Sequence, residues 1–319
     1  MRAPTVIEHP EFNAQEDCET IKQNLKSDRG AVLKVLCLRS YEQRKKIEEL
    51  YKASHRKDLQ SALKSAFKGD AEDLVLALFY SNVDYDAYVL KQATKGFGTN
   101  ETALVDVLCT RSNQEINEIK ETYRKLYKKD LEKDLKGDLK GDHEKLMLEI
   151  CDAHRTNEDV DEEKAQTDAD AFNKAAAGFG TDEGMFIHLM TSRSYRQLRY
   201  TFSVYKDKTG KDFLDMLDSE FSGDLYKVLL ATAKVALHGR QHVLAERLHD
   251  AMKGVGTKED QLIRIIVSRS LQDLEQVRRY YLKIYNKNLE DDIESETSGD
   301  FRNALLLLIK GNNPENLEK

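Results

Sequence analysis

The 319-residue chain carries 34% charged and 40% hydrophobic residues with only three prolines and no tryptophan, the balance of a helical, water-compatible protein. A net charge of −7, from 50 basic and 57 acidic side chains, argues against nucleic acid as main partner and against unaided binding to an anionic membrane. No apolar run is long enough to cross a bilayer and no secretion signal opens the chain; Cys18, Cys37, Cys109 and Cys151 lack metal-type spacing and read as reduced core thiols of a cytosolic protein.

After a short N-terminal arm (1–15), one internal ruler recurs four times. Arg-Ser pairs stand at Arg39-Ser40, Arg111-Ser112, Arg193-Ser194 and Arg269-Ser270. At fixed distances after each come a tyrosine (Tyr51, Tyr123, Tyr205, Tyr281), a large apolar residue (Leu59, Leu131, Phe213, Leu289) and Gly-Asp (Gly69-Asp70, Gly141-Asp142, Gly223-Asp224, Gly299-Asp300). The repeats therefore run 16–84, 85–155, 168–240 and 241–312, with an acidic exposed linker at 156–167 and a tail at 313–319.

Inside a repeat the apolar period is helical, as in Ile116, Ile119, Tyr123 and Leu126, or Leu274, Val277, Tyr281 and Ile284. Each Ser of the Arg-Ser pair precedes Gln, Glu or Asp by three residues (Ser40/Gln43, Ser112/Glu115, Ser194/Gln197, Ser270/Asp273), the capping-box spacing that starts a helix. A short buried helix is expected to end at each Arg, as Leu262 to Val267 does in the fourth repeat. With the other start and stop signals this predicts about five short helices per repeat. No strand pattern appears, so the fold class is all-α.

Three repeats carry two glycines one residue apart followed by threonine: Gly96-Phe97-Gly98-Thr99, Gly178-Phe179-Gly180-Thr181 and Gly254-Val255-Gly256-Thr257. Glycine permits turns in which successive carbonyls face one side. In each case an acid, Asp138, Glu220 or Glu296, lies 42 residues after the first glycine. Carbonyls plus a carboxylate form an oxygen-only set, which suits Ca²⁺ better than zinc or copper. A single such loop is better explained as a plain turn between helices. The first repeat decides the matter, because it holds Asn24-Leu25-Lys26-Ser27 in the loop and Ala66 at the acid position, so both halves are missing together.

Through these loops, the Arg-Ser marks and the Gly-Asp ends, the chain from about Gln15 to Gly311 resembles the annexins. The resemblance implies four five-helix repeats wound into a slightly curved disc with Ca²⁺ loops on its convex face. It implies three ligand sets: the carbonyls of Thr94, Gly96 and Gly98 with Asp138; of Ala176, Gly178 and Gly180 with Glu220; and of Met252, Gly254 and Gly256 with Glu296. The first repeat departs from the pattern at Asn24, Lys26 and Ala66, and Asp138 is one methylene shorter than its counterparts. Glu101, Glu183 and Glu259 suit either minor Ca²⁺ sites or complements to a helix dipole. The four arginines of the Arg-Ser pairs read as buried donors. His238 and His242 lack a third ligand in register, and Asp168-Ala169-Asp170 fails as an EF-hand loop because Asn173 replaces its glycine.

The expected function is Ca²⁺-dependent, reversible docking on anionic phospholipid membranes by a non-enzymatic, cytoplasmic protein. The alternative is a Ca²⁺-switched scaffold for a protein or cytoskeletal partner. Ion-channel activity through the polar central axis of the family's disc would be an extension of the first.

Overall fold

The computed structural model describes residues 3–96, 98–177 and 180–316. Its described residues contain helices and no strand, ordered five to a repeat. The first repeat holds α1 (Ala14–Asn24), α2 (Arg29–Cys37), α3 (Tyr41–His55), α4 (Leu59–Ala66) and α5 (Asp70–Ala77). The second holds α6 (Asn82–Ala93), α7 (Glu101–Leu108), α8 (Asn113–Tyr127), α9 (Leu131–Asp138) and α10 (Gly141–Asp152). The third holds α11 (Glu162–Ala176), α12 (Glu183–Ser192), α13 (Tyr195–Thr209), α14 (Phe213–Glu220) and α15 (Gly223–His238). The fourth holds α16 (Arg240–Met252), α17 (Glu259–Ser270), α18 (Leu274–Tyr285), α19 (Leu289–Glu296) and α20 (Gly299–Lys310). None of the described helices is long and apolar enough to cross a membrane.

The chain divides into two compact units, Met1–Tyr85 with Leu244–Lys319, and Asp86–Val243. The first joins repeats one and four, where α2 and α5 pack on α20; the second joins repeats two and three, where α10 packs on α15 and α12. The recurring tyrosines Tyr51, Tyr123, Tyr205 and Tyr281 are all buried, as are Leu59, Leu131, Phe213 and Leu289. Each such side chain contributes roughly 1.5–3 kcal/mol by leaving water, so the ruler marks the core of each repeat. The four cysteines are free and buried, and burial pushes the Cys37 and Cys151 thiols up to about 12.

Ser40 and Ser112 form complete capping boxes with Gln43 and Glu115, and Ser194 caps through the Gln197 N–H. Three expectations are corrected. Ser270 caps nothing: α17 runs through it, and the N–H groups of Thr5 and Val6 bond its carbonyl at 3.0 Å each, taking the acceptor that would open the next helix. Asp273 stands at the start of α18 instead. Leu126, the last step of its stripe, is 46% exposed because the final turn of α8 reaches the surface. The acidic stretch is helical from Glu162 onward: Asp161 accepts the Lys164 N–H at 2.9 Å, and Glu162 and Glu163 complement the positive end of α11.

The arginines of the ruler are internal clamps. Arg39 makes two bonds to Asp17 (2.6 and 2.7 Å), Arg111 two to Asp86 (2.7 and 2.8 Å) and Arg193 two to Asp168 (2.6 and 2.9 Å). Each pair ties the first helix of a repeat to the end of the second. In the fourth repeat Leu244 occupies the position of the acid, and Arg269 turns to Asp273 at 2.6 Å. The described part of the N-terminal arm is also held down, with Thr5 Oγ1 donating to the Leu308 carbonyl at 2.6 Å and Gln43 bonding both polar backbone groups of His9.

Candidate calcium sites

The three glycine loops join the first and second helices of repeats two, three and four. Each is closed by the same bond: Asn100 N–H to the Ala93 carbonyl (2.9 Å), Asp182 to Ala175 (3.0 Å) and Lys258 to Ala251 (2.8 Å). This bond spans the loop, and the chain between must turn through positive φ. Gly96 and Gly98 sit at 106° and 88°, Gly180 at 95°, and Gly254 and Gly256 at 104° and 83°. A side chain would be strained at each, which is why these positions hold glycine. Among the described residues, no hydrogen bond ends on the carbonyls of Thr94, Gly96, Gly98, Met252, Gly254 or Gly256. Gly178 lies outside the described residues, so the third repeat's set is described only at Ala176, Gly180 and Glu220.

The predicted acids are the last residues of α9, α14 and α19. In the third repeat the loop meets its acid directly, Thr181 Oγ1 donating to Glu220 Oε2 at 2.9 Å. In the fourth, Thr257 Oγ1 donates to the backbone carbonyl of Glu296 at 3.1 Å, bringing the same two segments together. In the second, Lys91 of α6 bonds Asp134 of α9 at 2.7 Å, one turn before the exposed Asp138. The threonine's part was missed in the sequence reading, though its recurrence as the fourth loop residue was the available signal. Val255, between the two glycines of the fourth repeat, was also missed; its side chain is fully exposed. Phe97 and Phe179, its counterparts, lie outside the described residues.

The first repeat shows what the loop becomes without glycine. The Asn24 carbonyl accepts the N–H groups of Ser27 (3.2 Å) and Asp28 (2.9 Å), so the chain turns tightly and the carbonyl is used internally. Ala66 ends α4 where the other repeats end in an acid. Glu101, Glu183 and Glu259 are each the first residue of a helix, where their charge complements the dipole. His238 ends α15 and His242 lies in α16, with ring centroids 4.5 Å apart, so the two do not share a helix. Asp168 is engaged by Arg193.

The described loop residues offer carbonyl oxygens, and in the third repeat a carboxylate meets the loop; such oxygen donors match the hard-cation preference of Ca²⁺. Comparison with known proteins agrees. The family model described as Annexin matches residues 14–78, 85–150, 167–232 and 244–308. The chain is 39% identical over 303 residues to human annexin A13, covering 93% of this chain and 96% of that protein. It is equally similar to annexin A7 of Macaca fascicularis (39% over 303 residues, 93% of this chain), but spans only 62% of that protein's length. Among solved structures, annexin III superposes with a TM-score of 0.91 at 37% identity, covering 97% of this chain and 98% of the other. A calcium-bound annexin (Sm)1 gives 0.81 at 28% identity, with coverages of 98% and 94%. The four-repeat helical architecture, the oxygen-lined glycine loops and these matches lead to one assignment: the chain belongs to the annexin family.

Proposed function

We propose that the chain docks reversibly on anionic phospholipid membranes through Ca²⁺ held in the loops of repeats two, three and four. The ion would take the carbonyls of Thr94, Gly96 and Gly98 with Asp138, of Ala176, Gly178 and Gly180 with Glu220, and of Met252, Gly254 and Gly256 with Glu296. The observation that carries this reading is the contact of Thr181 with Glu220, which brings a distant carboxylate to a glycine loop at 2.9 Å. Three carbonyls and one carboxylate leave Ca²⁺ short of its six to eight oxygens, so a lipid phosphate can complete the shell. With a net charge of −7 the protein and an anionic surface repel each other, and the cation supplies the missing attraction. Val255, exposed at its loop's apex, offers an apolar contact beside the bridged head group. A cage with so little negative charge binds Ca²⁺ weakly alone, with Kd on the order of 10⁻⁵ to 10⁻³ M. Lipid and ion then raise each other's affinity, and three loops add avidity.

This reading assigns no enzymatic step and places the protein in the cytoplasm until Ca²⁺ recruits it. The test is cosedimentation with protein-free anionic vesicles over a Ca²⁺ titration, comparing wild type with the variant Asp138→Ala, Glu220→Ala, Glu296→Ala. Wild type should sediment with Ca²⁺ and release with EDTA, and the variant should need far more Ca²⁺. Equal sedimentation of wild type in Ca²⁺ and EDTA would sink the proposal and favour a protein or cytoskeletal partner.

A further inference from the structure

In the unit formed by repeats two and three, the starts of α7, α10 and α15 bring Glu101, His143 and Asp224 together. One ligand atom from each lies within 4.8 Å of the others. Glu101 Oε2 and His143 Nε2 are 3.1 Å apart, both atoms are buried, and beyond this close approach neither has a hydrogen-bond partner. Two donors held at about 2.0–2.2 Å on one tetrahedral ion would stand roughly 3.3 Å apart, close to the observed separation. Asp224 gives one oxygen to Lys227 at 2.8 Å, which leaves the carboxylate a second.

The unit formed by repeats one and four has a different solution at the equivalent positions. There Arg29 replaces Glu101, Ala71 replaces His143, and Asp300 replaces Asp224. Arg29 Nε pairs with Asp300 at 2.5 Å, so a covalently attached cation sits opposite the acid. In the second unit an acid stands in place of that arginine, and two carboxylates converge without it. The fold does not demand the histidine either, because the residue after Gly-Asp is Ala71, Leu225 and Phe301 in the other repeats.

We infer that Glu101, His143 and Asp224 form a site for a zinc-class divalent cation, distinct from the glycine-loop calcium sites. An imidazole nitrogen beside two carboxylate oxygens suits Zn²⁺ rather than Ca²⁺, which takes oxygen ligands. A neutral histidine with two carboxylates balances the charge of one such ion, and the remaining coordination position is left to water. The ion would link repeats two and three across α7, α10 and α15. The competing account is that His143 is itself the cation, protonated between the two acids.

Isothermal titration of the full chain with Zn²⁺ in excess Ca²⁺ separates the two accounts, with Co²⁺ absorption as a spectroscopic report on the ligand set. Wild type should take up one equivalent that His143→Ala does not. The loss in affinity should exceed the roughly 10–100-fold cost of removing an outer partner of a metal ligand. Ca²⁺-dependent vesicle sedimentation by His143→Ala should be unchanged. Asp224→Asn, which keeps the shape of the side chain, should weaken Zn²⁺ binding and alter the Co²⁺ bands as well. Zinc binding that is the same in wild type, His143→Ala and Asp224→Asn, or no equivalent bound by wild type, would overturn the assignment.

Discussion

Replacing Asp86 by leucine should be among the most damaging single changes in the second repeat. Asp86 receives two bonds from Arg111, at 2.7 and 2.8 Å, and the two side chains are only 6% and 3% exposed. Hydrogen bonds to charged groups contribute about 1.5–3 kcal/mol each, and breaking a buried pair from one side costs about 3–5 kcal/mol. The guanidinium cannot lose its charge, so in Asp86→Leu it must stay buried without its counter-ion or drag α6 and α7 apart. Adding Arg111→Met should restore much of the loss, because a well-packed apolar pair is often as stable as a buried ionic one. The sign is therefore unusual: the double variant should be more stable than the single. The equivalent pairs Arg39–Asp17 and Arg193–Asp168 leave the arginine 13% and 17% exposed, so Asp17→Leu and Asp168→Leu should cost less. Hydrogen exchange across α6 and α7, with urea unfolding of each variant, measures both effects. A loss below about 1 kcal/mol for Asp86→Leu, or a double variant weaker than the single, would refute the clamp argument.

Two further tests address the arm and the acid response. An added Cβ at Gly311 would lie 1.9 Å from the Thr5 carbonyl oxygen, which accepts the N–H groups of Asn312 and Asn313. Gly311→Ala should cost about 2–4 kcal/mol as those two bonds and that of Thr5 Oγ1 are lost, against roughly 1 kcal/mol for Gly210→Ala. Gly210 has a similar φ of +71° but a left-handed helical ψ of 1° and open space around it, whereas Gly311 has ψ −161°, so equal melting temperatures for the two variants would contradict the role given to the arm. Burial pushes the Asp134 carboxyl up, but the bonds from Lys91 and Tyr123 and the Lys91 charge outweigh it and hold the carboxyl below its usual range. The native state thus resists protonating Asp134 more than the unfolded chain does. Its contribution is complete above the ordinary carboxylate pKa of about 4 and is lost as pH falls through the lower native value. Asp134→Asn should flatten the acid limb of a stability profile; an unchanged limb would show that other groups carry it.

The arm shows how a segment can be visible in the chain while its contacts are not. Thr5 lies close to the N-terminus, yet it is fully buried and bonded to Leu308. Nothing local signals this, because its partners lie about 300 positions away. Repeat four is a similar case. Its Arg269-Ser270 matches the other repeats letter for letter, but Leu244 has removed the usual acid, and the arm occupies the Ser270 carbonyl. A recurring pair therefore covers two different local structures.

By itself the sequence determined the all-helical class, the four-part repeat, the recurring tyrosines and the loops able to offer carbonyls to a hard cation. These follow from periodicity, capping chemistry and the backbone freedom of glycine, all of which act over a few residues and leave a mark in the order of the letters. Tertiary structure alone decided which carboxylate answers each arginine, that Thr181 meets Glu220, and that Glu101, His143 and Asp224 converge from three helices. Those are encounters between side chains distant in sequence. They depend on how helices pack and on which donor reaches an acceptor first, and neither has a local signature.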